Sequence, residues 1–142
     1  MAKKKRKLGE ILYKAGIVKK EPLVDAIKTA KSEKKRLGEV LLEKKLIDEK
    51  TLTKALAKQF SFKYVNLDKT SVQQEAANLV SSDIIKQHNL LPFEKSNGKL
   101  KVAVSDPLDL DGIDKIRFNV EGDVDCYIAR PSQLRDYIQN QY

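Results

Sequence analysis

The sequence predicts an α+β fold, a small N-terminal four-helix bundle of two helix–turn–helix repeats followed by a small mixed α/β domain. Three features of the 142 residues lead there. A block near the N-terminus recurs 29 positions later. Beyond Phe60 the apolar pattern changes from helical stripes to short alternating runs. The charge divides at the same place: residues 1–59 carry 18 Lys/Arg and 8 Asp/Glu, residues 60–142 carry 10 and 12, so +10 and −2 make the net +8. A single basic fold would not split so cleanly, which places the domains at 1–60 and 61–142.

The recurrence aligns Lys7-Leu8-Gly9-Glu10-Ile11-Leu12 with Arg36-Leu37-Gly38-Glu39-Val40-Leu41. It continues with Ile17-Val18 against Leu46-Ile47, Leu23 against Leu52, Ala26 against Ala55 and Ile27 against Leu56. In the first copy Leu8, Ile11, Leu12 and Ala15 follow the i, i+3, i+4, i+7 spacing of a buried helical stripe. Gly16 suits a left-handed helix end. Pro22 fits the first turn of a second helix, which would bury Leu23, Ala26, Ile27 and Ala30. The second copy repeats the scheme, with Asp48 as N-cap of a helix that buries Leu52, Ala55 and Leu56 and reaches Gln59. About 60 residues bury only a modest core, and two hairpins in one small bundle are expected.

After Phe60, residues 62–67 alternate and read as a strand. Short helices are expected at 73–80 and 82–89, the second capped by Ser82 or Asp83. Strands at 90–95 and 99–104 flank Ser96-Asn97-Gly98, a hairpin signal. Asp106-Pro107 ends the second strand, and Asp109 or Asp111 caps a helix running to about Val120. Residues 125–129 form a last strand, and Ser132 opens a C-terminal helix through Ile138.

Little in the chain points to catalysis. One Cys and one His exclude a disulfide framework, a zinc ribbon and any triad that needs a second histidine. Asp106, Asp109, Asp111 and Asp114 invite a metal reading. An EF-hand aligned on Gly112 would need Asp at 107 and Glu at 118, where the chain has Pro107 and Phe118. Capping and turn formation account for the four aspartates. His88 follows an apolar helix and packs or faces water; Cys126 shares a strand face with Val124 and Ile128 and reads as core. Ser96-Asn97-Gly98-Lys99 is too short for a phosphate loop, and no P-loop consensus occurs anywhere. No catalytic residue and no metal ligand is assigned.

Binding has more support. Gly9 and Gly38 occupy equivalent places at two helix starts, where glycine costs about 1 kcal/mol relative to alanine. Backbone left open at such a place offers N–H groups to anions. Lys7 and Arg36 stand two residues earlier, and a guanidinium also stacks on purines and donates in a planar fork. Gln59 adds an amide able to pair with a base edge. The alternative, on residue chemistry alone, is that both glycines serve helix packing while Arg36 and Gln59 are simply exposed.

Arg36-Leu37-Gly38, Leu41, Leu52, Leu56 and Gln59 match, at every specified place, the motif of MshEN-type cyclic di-GMP-binding domains, which this chain resembles. Such domains stand at the N-termini of the ATPases that power type II secretion and type IV pilus assembly. They carry two motif copies; here these are 7–30 and 36–59, with residues 31–35 between them. Leu91-Pro92 and the run Lys101-Val102-Ala103-Val104-Ser105-Asp106-Pro107-Leu108-Asp109 resemble the centre of the N-terminal domain of secretion ATPases. The resemblance implies that both motifs wrap one cyclic di-GMP, a regulatory ligand, with no cofactor besides. Lys7, Leu8, Gly9, Leu12, Leu23 and Ile27 would contribute from the first copy. Arg36, Leu37, Gly38, Leu41, Leu52, Leu56 and Gln59 would contribute from the second. Leucines would meet guanines and riboses, backbone amides and cations the phosphates, and Arg and Gln the guanine. The first copy departs from the pattern: Lys7 replaces Arg, Ile27 the last Leu, and Ala30 the Gln. Each lost polar contact is worth about 0.5–1.5 kcal/mol, so the half facing that copy is expected to bind about tenfold or more weakly.

The partners implied by the resemblance are the ATPase motor domain and the inner-membrane platform protein, reached through conformational coupling. A ligand-free module that tethers the ATPase to that platform is the alternative. The chain is expected to be a dissected N-terminal domain or a freestanding relative rather than the motor. Nucleic acid is disfavoured: the basic run Lys3-Lys4-Lys5-Arg6-Lys7 precedes no recognition helix rich in Arg, Asn and Gln, and Tyr13 is the only aromatic before Phe60. No apolar run approaches the roughly 18–20 residues of a membrane span, and no secretory signal follows the basic start. The expected location is the cytoplasm, peripheral at the inner membrane through a partner.

Overall fold

Four helices make up the first of two units in the computed structural model, which describes residues 7–142; in sequence the units part between Ser61 and Phe62. They are α1 (Leu8–Lys14), α2 (Lys20–Glu33), α3 (Leu37–Glu43) and α4 (Glu49–Phe60). The starts of α3 and α4 follow those of α1 and α2 by 29 residues each, so the sequence repeat is also a structural one. Lys3, Lys4, Lys5 and Arg6 of the basic run lie outside the described residues.

Helix α1 stops at Lys14, and Gly16 follows in the left-handed region at φ 73°, a conformation that costs glycine nothing. The equivalent residue of the second copy is Lys45, at φ 58°. Because the helix ends there, Ala15 lies outside it and is exposed, and the expected stripe closes with Leu12. The hairpins do not simply close on themselves: α1 packs on α4 and α2 on α3, with α1 also meeting α2 and α3. Leu12 and its counterpart Leu41 are completely enclosed, each burial contributing about 1.5–3 kcal/mol. Asp48 caps α4 as expected, accepting from the Thr51 N–H at 2.8 Å. That hydrogen bond holds its carboxyl below the usual aspartate range. A Lys44–Asp25 ion pair at 3.0 Å joins the end of α3 to α2.

The second unit is a four-stranded sheet in the order β1-β4-β3-β2, with β1 at Lys63–Tyr64, β2 at Leu90–Ser96, β3 at Lys99–Val104 and β4 at Asp123–Ile128. Strands β2 and β3 form the expected antiparallel hairpin, turning through Asn97 and Gly98 at φ 51° and 74°, the positive values a two-residue hairpin turn requires. Strand β4 runs parallel to β3 and to β1. The β3–β4 crossover is made by α7 (Leu110–Asn119), as a parallel connection demands. Leu100, Val102 and Val104 point to one face. There they share a core with Ile85 of α6 (Ser82–His88), Ile113 and Ile116 of α7, and Leu134 and Ile138 of α8 (Pro131–Gln141).

Several boundaries differ from the sequence expectations, each for a local reason. The strand expected at 62–67 is only two residues long, because the chain bends at Asn66 into a 3-10 turn, Leu67–Lys69. Asn66 Oδ1 accepts from Asp68 N at 3.0 Å, and the buried Gln133 amide of α8 binds Leu67 N at 3.1 Å and Asn66 Oδ1 at 3.0 Å. The helix expected at 73–80 shrinks to α5, Gln74–Ala77. Gln73 is instead tied to β2, its N–H donating to Phe93 O at 2.8 Å and its side chain accepting from Lys95 N at 3.0 Å. Ser81, not Ser82 or Asp83, caps α6. Asp109 caps α7 through Gly112 N at 3.1 Å. Helix α8 opens one residue before Ser132, with Pro131 in its first turn.

Candidate functional site

All thirteen candidate residues lie in the helical unit, and the structure sorts them by exposure. Lys7 and Arg36 occupy the N-cap positions of α1 and α3, both exposed and neither capping its helix with its side chain. Ile27, Leu37, Leu52, Leu56 and Gln59 are half-buried. Leu8 and Leu23 retain 8% exposure, and Leu12 and Leu41 none. The copies are therefore unequal. Leu8 and Leu23 are closed over in the first copy, whereas their counterparts Leu37 and Leu52 keep open surface in the second.

The two glycines are closely packed. Both are buried, and the space a side chain would take is filled by leucines. A Cβ on Gly9 would lie 3.4 Å from Leu23 Cδ1 and 3.5 Å from Leu37 Cδ2; one on Gly38 would lie 2.9 Å from Leu52 Cδ1. In each copy the leucine of the second helix sits on the glycine of the first. In this arrangement each glycine makes room for a leucine of the following helix.

Charge gathers where the copies join. Lys31, Lys34, Lys35 and Arg36 are all exposed. Lys35 is held by Glu43 at 3.0 Å, with Glu33 at 3.8 Å, and the hydrogen bond to Glu43 raises its ammonium above the ordinary lysine range. A surface depression on α2 lined by Lys20, Glu21, Val24, Asp25 and Lys28 includes none of the candidate residues.

Sequence reasoning missed one polar cluster in the second unit. The His88 side chain is 9% exposed, its Nδ1 2.8 Å from Asp109 Oδ2. Its Nε2 lies 3.3 Å from Lys115 Nζ. Nε2 also faces Asp111 Oδ2 at 3.7 Å. Asp111 accepts from the same ammonium at 3.3 Å. Gly112 makes the room: a Cβ there would lie 2.7 Å from Asp109 Oδ2 and 2.8 Å from the imidazole. The signal was Asp109 three residues before a helical glycine, with one histidine to pair. Cys126 is partly buried on β4 opposite Val102, and burial pushes its thiol up. Among the described residues no group of three His, Cys, Asp or Glu side chains is placed to hold a metal ion. No helix of the described residues is long and apolar enough to cross a membrane.

Duplicated helical hairpins followed in sequence by a small mixed sheet define a two-unit α+β module. The chain belongs to the MshEN domain family, whose profile matches residues 60–142. The matched segment begins where the second repeat ends. The solved structure of MshE with cdg is similar to this chain with a TM-score of 0.84 and 28% identity, over 96% of this chain and 99% of that one. The type IV pilus assembly ATPase PilB of Myxococcus xanthus is 25% identical over 136 residues, 96% of this chain and 24% of the relative. Its namesake in Pseudomonas aeruginosa is 26% identical over 127 residues, 89% of this chain and 22% of the relative. The chain spans about a quarter of the length of these curated relatives.

Proposed function

We propose that the helical unit binds cyclic di-GMP and that the chain is the regulatory N-terminal domain of an ATPase of type IV pilus assembly or type II secretion. The observation that carries this reading is the likeness to MshE with cdg, which extends over 96% of this chain at 28% identity. The geometry of the repeat supports it. Half-buried Ile27, Leu37, Leu52 and Leu56 offer apolar surface to bases and riboses without leaving the core they pack on. Lys7 and Arg36, at two helix starts, supply cations for the phosphates, and Gln59 an amide for a base edge. Leu12 and Leu41, fully enclosed, hold the frame beneath. Since α1 packs on α4 and α2 on α3, a ligand touching both motifs favours one arrangement of all four helices. Its differential affinity is the free energy such a switch can pass on.

Isothermal titration of cyclic di-GMP into the 142-residue chain tests the site. Arg36→Ala should weaken binding tenfold or more, about 1.4 kcal/mol. Lys14→Ala, which removes only the exposed ion pair with Glu10 at 2.8 Å, should leave affinity unchanged. Equal affinity of both variants would overturn the assigned site, and no binding by the parent would overturn the function.

A docking role for the second unit has its own support. Leu110 and Phe118 of α7, two turns apart, are 66% and 92% exposed; large apolar groups so placed favour a protein contact. The cytoplasmic part of an inner-membrane platform protein is the partner we propose. Its capture by the chain, insensitive to nucleotide and lost in Phe118→Ser, would support this role.

A further inference from the structure

Two helices of this chain carry exposed stripes that match each other with opposite charge. On α7, Leu110, Asp114 and Phe118 recur at four-residue intervals, about 6 Å apart along one face. All three are exposed, and Phe118 is the most exposed large apolar residue among those described. Asp114 stands one turn before it, and the exposed Glu121 follows three residues after it. The surrounding segment is acidic: residues 106–125 hold seven Asp/Glu and two Lys/Arg, so −7 and +2 leave −5. Both cations already face carboxylates, Lys115 facing Asp111 at 3.3 Å and Arg117 facing Asp114 at 3.8 Å.

Helix α2 carries the converse. In its surface depression Val24, 41% exposed, stands midway between Lys20 and Lys28, one turn from each. Asp25 of the same depression is held by Lys44 at 3.0 Å, and the exposed Lys19 and Lys31 extend the basic rim. At about 340 Å³ the depression is at the small end of the roughly 300–1,000 Å³ range of ligand pockets, which suits a single aromatic ring. Basic, apolar, basic on α2 thus complements acidic, apolar, acidic around Phe118.

We infer that the α7 stripe of one copy docks on the α2 depression of a second copy. Phe118 lies against Val24, and Asp114 and Glu121 against Lys20 and Lys28. A second copy is the occupant because one chain presents both halves of the match, with its charge split into +10 and −2. The buried aromatic supplies most of the binding energy, and the charges set orientation. The two surfaces differ, so the contact is heterologous, and copies add in a row unless their rotation closes a ring. One helix stripe on another buries less than the roughly 1,200 Å² of a standard interface, so the association is weak. The inference goes beyond the docking role above, since a second copy and a platform protein would compete for Phe118.

Sedimentation equilibrium of the 142-residue chain alone provides the test. The mean mass should rise with protein concentration above that of one chain. Salt raised from about 0.1 M to about 1 M shortens the screening length from about 10 Å to about 3 Å and should reverse that rise. Phe118→Ser and Val24→Glu, both at exposed sites, should each weaken association about tenfold or more, with unchanged circular dichroism. Mixed together, the two variants should form one-to-one pairs that grow no further. Val24→Glu keeps an intact α7 stripe and Phe118→Ser an intact depression. A parent that stays monomeric, or a mass that persists in high salt, would overturn the inference. So would a mixture of the variants that fails to pair, or full association by Val24→Glu alone. Each of those results would leave the ligand reading and the platform contact standing, because neither needs a second copy.

Discussion

Gly9 and Gly38 hold the same second position of α1 and α3, so an alanine at either changes helix propensity equally, by about 1 kcal/mol or less in favour of alanine. Their surroundings differ. At Gly9 the new Cβ would meet Leu23 Cδ1 at 3.4 Å, an ordinary contact. At Gly38 it would meet Leu52 at 2.9 Å and 3.2 Å through its two methyl carbons, inside the roughly 3.5–4.0 Å optimum for carbon pairs. Leu52 must turn away, and overpacking of this kind costs about 1–3 kcal/mol. The propensity gain cancels between the variants. Gly38→Ala should therefore be about 1–3 kcal/mol less stable than Gly9→Ala, which should equal or exceed the parent. Urea unfolding followed by far-ultraviolet circular dichroism supplies both midpoints, and an unchanged m value would show that the same surface is exposed. Equal stability, or the reverse order, would refute the claim that the motif glycines make room for their own leucines.

Leu41→Ala, at a site with no exposure, should cost about 2–5 kcal/mol in the same assay, and Leu56→Ala, half-buried, clearly less. Asp48→Ala removes the α4 cap and should lower Tm near neutral pH. Because folding depresses the Asp48 carboxyl, its contribution is present above the ordinary aspartate range and lost as pH falls through the folded value, so the Tm gap between parent and variant should close in acid. A gap that persists or widens there would contradict the cap. Gly112→Ala should displace the His88–Asp109 pair and destabilise by about 1–3 kcal/mol. His88 is the only histidine, so its ring-proton NMR signals report on that pair without assignment, and unchanged signals would sink the prediction.

The helical half was legible because its pattern is repeated. An offset of 29 residues fixed where both hairpins start, and Asp48 and Gly16 behave as their chemistry requires. What the sequence could not reveal was the exchange of partners between hairpins, since Leu12 and Leu41 satisfy a buried stripe whichever helix they face. In the second unit the hairpin at Asn97-Gly98 followed from turn chemistry. The short β1 and α5 did not, because Gln133 and Gln73, distant in sequence or bound to another strand, override the local pattern. The packing of Gly9 and Gly38 was hidden for a related reason: a glycine that admits a ligand and one that admits a leucine look alike until Leu23 and Leu52 are placed.

On the proposed function the same motif residues would serve two ends, and a scan of binding alone would confuse them. Leu12 and Leu41 are enclosed, so their loss would abolish binding by dissolving the frame. Leu37, Leu52 and Leu56 lie at its surface, so their loss would remove contacts from a frame that persists. Ligand linkage separates the cases. At a ligand concentration of 100 times Kd, the folded state gains about 2.7 kcal/mol. A frame variant that still folds should start at a lower Tm and recover most of that increment once ligand saturates it. A contact variant should start near the parental Tm and show a reduced increment at the same ligand concentration. Leu52 should show both effects, because it covers Gly38 on one side and keeps open surface on the other. A Leu52→Ala protein with parental Tm and undiminished ligand shift would place the binding surface elsewhere on the chain.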